Sequence, residues 1–256
     1  LHTLIENAKR LLVFVAHPDD EIIGCGVLLQ RVPDALIVFA VDGAPDGFGF
    51  ERKYGSLENY SSERFKEAGR ALALAGSCSF QRLRARSRAY FRDRHLFEHL
   101  QEAAESLSKI AFDFSPDVIV SHAFEGGHID HDACSVLAYH TAKRLSVHAF
   151  EFPLYWRSDT GDDMIQRFRD PDPEEIVLNP SEIEIAIKKK MLAEYISQRD
   201  LLAVFSPMQE RFRRSRCRDH ARPAWTLSYS GKWRSRRDSK IALRRFSEFT
   251  EASSIK

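Results

Sequence analysis

The stretch "LLVFVAHPDDEIIG" runs from Leu11 to Gly24. Its first six residues are apolar and rich in β-formers, the pattern of a buried strand. His17, Pro18, Asp19, Asp20 and Glu21 come directly after, so an imidazole and three carboxylates stand at the exit of that strand. Two readings compete. Acidic residues are ordinary in the first turn of a helix, where they accept from free amides and face the positive end of the dipole. Alternatively, a His and an Asp three residues apart on a tight turn hold a metal ion.

The surrounding chain repeats the strand-then-helix pattern. "ALIVFAV" (35–41), "SFQRL", "DVIVSH" (117–122) and "VHAFEF" (147–152) read as further strands. Helices are predicted over about 20–31, 61–75 and 93–110, and again after the "HIDH" loop. "PSEIEIAIKKKMLAEYISQRDLLAVF" is predicted as one helix, with Pro180 near its start and Ser181 and Glu184 in capping-box spacing. Strands alternating with helices predict an α/β domain with a mainly parallel sheet. The last quarter gives no assignable elements. Ligands of such sheets bind at the carboxyl ends of the strands, and His17, Asp42 and His122 all fall there.

With 256 residues, 43% of them hydrophobic and 29% charged, the chain can bury a substantial core. The expectation is one domain over 1–256, with a core of about 10–155 and a C-terminal helix and basic segment over about 180–256. No stretch approaches the roughly 20 apolar residues of a membrane helix. "LHTLIENAKR" has no signal-peptide pattern; without a starting Met the chain is expected to be trimmed, which leaves a removed leader open. Cys25, Cys78, Cys134 and Cys217 are widely spaced, so a reducing, cytoplasmic setting is expected. The net charge of +1 hides an asymmetry: residues 211–245 hold 13 Lys/Arg against Asp219 and Asp238, leaving −10 on the remainder.

A second loop, "EGGHIDHDA" (Glu125 to Ala133), also comes after an apolar strand and supplies His128, Asp130 and His131. Two loops at one sheet edge can converge, offering imidazoles and carboxylates enough for three protein ligands and an open fourth position.

These residues resemble a family. Ala16 to Glu21 is similar to the AHPDDE signature of the LmbE-like, or PIG-L, zinc-dependent de-N-acetylases, and His128-Ile129-Asp130-His131 to their HPDH or HxDH motif, with Ile129 in place of the common Pro. The resemblance runs from about residue 10 to 155, and more loosely through "YISQ". It implies a Rossmann-like sheet, a Zn2+ cofactor and hydrolysis of an N-acyl group, most often acetyl on an amino sugar or glycoconjugate. It also implies zinc ligands at His17, Asp20 and His131, a general base at Asp19, an oxyanion stabiliser or acid at His128, and Asp130 orienting His128. Arg64, with Glu67, resembles a family R-x-x-E helix whose Arg reaches a sugar hydroxyl, with a surface ion pair as the alternative. Asp93 resembles a sugar-contacting position, with helix capping as the alternative. Glu21 is expected to cap a helix or hold a ligand.

Three rivals stand beside this. A dinucleotide-binding domain needs G-x-G-x-x-G where this chain has "HPDDE", whose carboxylates repel a pyrophosphate. The basic 211–245 segment interleaves Trp225, Tyr229 and Trp233 with arginines, as nucleic-acid binders do; a basic flap on an acidic body is the favoured reading. A zinc amidase acting on a thiol conjugate or an antibiotic precursor would carry the same motifs. The expected partners are thus a small N-acetylated sugar or glycoconjugate, with no membrane span and with a homo-oligomer left open.

Overall fold

Strand β1 (Arg10–Val15) lies inside a seven-stranded sheet, third from one edge. The computed structural model describes residue 5 and residues 7–76, 78–170, 172–216 and 236–254. On one side β1 pairs in parallel with β2 (Asp34–Phe39), and β2 with β3 (Cys78–Arg82). On the other it pairs in parallel with β4 (Val118–His122), and β4 with β5 (His148–Phe152). Two antiparallel strands extend the sheet beyond β5: β9 (Glu210–Arg214) and then β8 (Ile176–Leu178). A separate hairpin joins β6 (Tyr155–Arg157) to β7 (Asp163–Ile165).

The apolar runs reflect burial on both faces. Leu11, Val13 and Val15 face one core, with Ile22 and Ile23 from α1 (Asp20–Cys25), Leu28 from α2 (Leu28–Arg31), Phe65 and Ala68 from α4 (Leu57–Ala73), and Met191 from α7 (Glu182–Ala193). Leu12, Phe14 and Ala16 face the other, with Leu107 from α5 (Leu100–Phe114), Leu137 from α6 (Ile129–Leu145), and Phe246 from α9 (Arg236–Ser254). Two short helices, α3 (Phe50–Tyr54) and α8 (Arg199–Leu202), complete the assignment. Among the described residues no helix is long and apolar enough to cross a membrane.

The helices depart from expectation where a distant side chain takes their amides. The helix predicted over 20–31 is two pieces, because Glu210 from β9 accepts from Val27 N at 2.6 Å and Leu28 N at 3.0 Å. The helix predicted over 93–110 begins only as a 3₁₀ turn at Leu96–Glu98, because the Asp130 carboxylate accepts from Arg94 N and Leu96 N. The Ser181/Glu184 capping box forms, but α7 stops at Ala193 rather than running through Phe205. Past that end, Tyr195 is fully buried and its hydroxyl donates to Glu21.

In the order β3-β2-β1-β4-β5, the chain leaves β1 toward one side and β4 toward the other. The carboxyl ends of β1 and β4 therefore frame the crevice where such sheets bind ligands. His17 lies just past β1, and His122 ends β4.

Candidate metal centre and active site

The turn after β1 is held in an uncommon conformation. Asp19, the residue before α1, has φ 124 and ψ −33, a region costly for a side chain with a Cβ. The fold secures it from both sides. Glu21 accepts from Asp19 N at 2.9 Å, and Tyr195 holds the other Glu21 oxygen. Arg64, buried on α4, donates to Pro18 O at 2.6 Å, Gly43 O at 2.7 Å and Asp19 Oδ2 at 2.9 Å. Burial pushes the Asp19 carboxyl up to about 7, with Arg64 pulling against it and Asp20 adding to it. Glu21, buried with no partner of full positive charge, is pushed up to about 8.

The second loop is shaped by close approach. A Cβ on Gly127 would lie 1.9 Å from Tyr155 O, and Gly126 has φ 73; the pair lets the chain pass under β6 and turn into α6. Asp132 Oδ1 accepts from Glu125 N and Gly126 N. His128 caps α6 by accepting from Asp130 N through Nδ1 at 3.2 Å. An imidazole that accepts at Nδ1 carries its proton on Nε2.

The two loops converge. Asp20 Oδ2 lies 3.2 Å from His17 Nδ1, 3.5 Å from His131 Nε2 and 3.4 Å from His122 Nε2. Three sets of donors lie within 4.8 Å of one another: His17, His128 and His131; Asp20, His122 and His131; and His17, Asp93, His128 and Asp130. His122 and His131 stack with ring centroids 4.1 Å apart. His17 Nε2 is buried without a hydrogen bond, 3.4 Å from Asp93 Oδ2 and 3.8 Å from Asp130 Oδ2.

The electrostatics ask for a cation. Burial disfavours a charged His17, yet Asp93, Asp130 and Asp20 together raise it well above the ordinary histidine value. Burial disfavours an ionised Asp20, yet His131, His122 and His17 hold it well below the ordinary carboxylate range. Burial, then neighbouring His122, keeps His131 neutral; burial, then His17 and His131, does the same to His128. Neutral imidazoles beside an ionised carboxylate, with His17 Nε2 and His122 Nδ1 both buried without a hydrogen bond, form a mixed N/O set that suits a zinc ion. Asp19 belongs to none of the donor sets and is held apart by Arg64.

Several expected roles change. Arg64 is neither a surface ion pair nor a free arm toward a sugar: its two terminal nitrogens are taken by Pro18, Gly43 and Asp19. Glu67 serves another bond, accepting from Ser197 N and Oγ, which ties "YISQ" to α4. Asp130 meets His128 through its backbone amide, while its carboxylate holds the 94–96 turn and faces His17. Asp93 caps no helix; it is buried beside His17, with its own amide donated to Asp42 Oδ1. His128 is expected as a neutral Nε2–H donor rather than an imidazolium. Sequence reasoning missed Tyr195, whose only signal was its place in "YISQ", and Tyr155, whose ring lies 5.4 Å from that of His131.

Three arginines of the basic segment pair with acids of the chain. Arg213 is buried against Glu151 at 2.6 Å, Arg211 pairs with Glu175 at 2.5 Å, and Arg216 pairs with Asp172. Trp225, Tyr229, Trp233 and Cys217 lie outside the described residues.

Residues 12–142, just over half of the chain, match the family described as PIG-L: GlcNAc-PI de-N-acetylase. The chain belongs to the PIG-L family. Comparison with curated protein sequences gave no match. Among solved structures, this PIG-L chain is similar to the A40926 pseudoaglycone deacetylase Dbv21, with TM-score 0.62 and 15% identity over 82% of this chain and 99% of that one. It is also similar to a triple-mutant deacetylase of the teicoplanin biosynthetic pathway, with TM-score 0.60 and 20% identity over 76% and 85%. A third likeness is to the N,N'-diacetylchitobiose deacetylase of Pyrococcus horikoshii, with TM-score 0.57 and 17% identity over 83% and 85%. These likenesses show the shared α/β fold. That fold also carries a 4-carboxy-2-hydroxymuconate hydratase from Pseudomonas putida, at TM-score 0.52 and 14% identity, so the fold alone does not fix the reaction.

Proposed function

We propose that this PIG-L family member is a zinc-dependent hydrolase that removes an N-acetyl group from an amino sugar or an N-acetylglucosaminyl glycoconjugate. One observation carries it: the HPDDE turn and the HIDH loop meet in one buried cluster that attracts positive charge, while Asp19 is held outside that cluster by Arg64. In this reading His17, Asp20 and His131 hold the ion, which supplies Lewis acidity and makes a water nucleophilic at neutral pH.

The remaining work falls to the chain's own side chains. Asp19 accepts the proton of the attacking water. The acyl carbon gains that oxygen, the C–N bond breaks, and Asp19 returns the proton to the departing amine. Burial raises the Asp19 carboxyl while Arg64 pulls it down, and a bound cation would pull it further toward the ionised form that accepts the proton. His128 donates from Nε2 to the oxygen that becomes negative as the carbonyl is attacked. Asp130 fixes the turn that carries Asp93 and Arg94, and this turn brings the Asp93 carboxylate, like that of Asp130 itself, beside His17 Nε2. The whole chain serves as one catalytic unit with a small-molecule partner. A reducing, cytoplasmic setting is supported by the unpaired Cys25, Cys78 and Cys134.

A second reading changes only the acceptor. The structural likeness to glycopeptide-pathway deacetylases supports an amide on an antibiotic precursor. The test is acetate release from a panel of N-acetylated sugars, glycoconjugates and glycopeptide precursors, with and without zinc, for the wild type and Asp19→Asn. Losing a general base costs about 100- to 10,000-fold in turnover. Activity confined to non-sugar amides would move the substrate class; zinc-independent turnover, or full turnover by Asp19→Asn, would overturn the reaction.

A further inference from the structure

Arg94 is the cation beside the cluster that the proposed reaction leaves unused. Its backbone has φ 67, a conformation uncommon for a residue with a long side chain and one that marks functional positions. The Asp130 carboxylate holds it there by accepting from Arg94 N, so the position of Arg94 is tied to the HIDH loop. The side chain is 17% exposed. Its charge reaches His128 and His131, adding to what keeps both rings neutral.

Among the described residues the guanidinium has no hydrogen-bond partner, and its one ion pair, with Asp93, is loose. Arg94 Nε is buried with no hydrogen bond, and its terminal nitrogens bond to none of the described residues. Asp93 Oδ1 is 4.0 Å from Nε, beyond hydrogen-bond reach, and is itself without a partner. Arg64, the buried arginine at the site, has three oxygens at 2.6–2.9 Å, so the fold does satisfy a cation here when that cation is structural. On its outer side the Arg94 guanidinium lies 5.4 Å from the ring centroid of Phe48, which is 43% exposed. Arg94 thus stands between the donor cluster and an exposed aromatic ring, with a planar five-donor fork to offer.

We propose that Arg94 is a specificity-determining residue that binds an acidic substituent, carboxylate or phosphate, on the N-acylated substrate. The fork matches the paired oxygens of either group. This rests on the proposed reaction for what is cleaved, but the recognition can be measured apart from cleavage.

The test uses the full chain loaded with zinc and three probes: N-acetylglucosamine, N-acetylmuramic acid with its carboxylate, and N-acetylglucosamine 6-phosphate. Acetate release gives kcat and KM for the wild type, Arg94→Lys and Arg94→Gln. Calorimetry on the Asp19→Asn background gives binding of the same sugars. The expected result is that at least one acidic sugar is preferred over the neutral one by about tenfold or more. That preference should lie in KM, shrink with salt, fall in Arg94→Lys and vanish in Arg94→Gln. Whether the carboxylate or the phosphate probe shows it identifies the substituent. If no probe releases acetate but an acidic sugar binds in an Arg94-dependent way, the proposed reaction fails and the recognition stands. Equal handling of acidic and neutral sugars by the wild type, an equal loss for all three in Arg94→Gln, or no Arg94-dependent binding overturns it.

Discussion

Replacing Arg64 by Gln tests the physical arrangement around Asp19 without any substrate. In the wild type Arg64 satisfies one carboxylate and two backbone carbonyls at 2.6–2.9 Å. Removing one partner of a buried ion pair costs about 3–5 kcal/mol, because the other charge is left uncompensated. Asp19 has an escape: its carboxyl already stands at about 7, and without Arg64 it moves higher and takes a proton. Linkage sets the sign. A carboxyl raised above its unfolded value of 3.8 loses stability as pH rises toward its folded value. In the wild type that loss ends near pH 7; in Arg64→Gln it continues above pH 7. The stability gap between the two proteins should therefore be modest at pH 6 and widen above pH 7 by up to about 1.4 kcal/mol per unit. Asp19→Asn removes the carboxyl, so Arg64→Gln on that background should lose the extra pH dependence, and the cycle should show a coupling of about 2 kcal/mol or more at pH 8. Urea unfolding of the four proteins, freed of metal by a chelator, at pH 6, 7 and 8 measures this. Additivity within about 0.5 kcal/mol at every pH would refute the arrangement of Arg64 beneath Asp19.

The same contacts predict three further outcomes. Gly127→Ala places a Cβ 1.9 Å from Tyr155 O, so the HIDH loop must shift; metal affinity and melting temperature should both fall, and an unchanged variant would remove the close approach from the account. Lys188→Met breaks a fully buried pair with Glu210 at 2.6 Å and should cost about 3–5 kcal/mol in urea unfolding, whereas a loss under 1 kcal/mol would contradict that pairing. Glu184, held down to about 2 by its bond to Arg31, contributes stability above about pH 4.5 that is lost as pH falls toward 2; after solvent screening this is about 1 kcal/mol, and Glu184→Gln should erase that part of the acid limb.

The sheet was legible because both its faces are buried: runs such as Leu11–Ala16 have no polar member, and their exits carried the chemistry. That His17, Asp20 and His131 lie close together was legible for the same reason, since the end of a buried strand fixes where the next few residues stand. The features hidden from the sequence came from long-range partners. Nothing near residue 27 announces that Glu210 will take the Val27 and Leu28 amides, and nothing near residue 93 announces that Asp130 will hold Arg94 and Leu96. Arg64 was marked by its R-x-x-E spacing, but spacing does not say that the guanidinium turns inward to Pro18, Gly43 and Asp19. Strand β8 was missed because "IVL" is only three residues long, and β9 because "ERFRR" is charged; β9 becomes a strand by burying Arg213 against Glu151.

In the proposed site Asp20 and His131 hold the ion, and His128 does not. Metal content by mass spectrometry of the wild type, His131→Ala, Asp20→Ala and His128→Ala tests it most directly. The expected result is one zinc per chain in the wild type, little in His131→Ala or Asp20→Ala, and a retained ion in His128→Ala with turnover reduced about 100- to 1,000-fold. Loss of the ion from His128→Ala together with its retention in His131→Ala would contradict it.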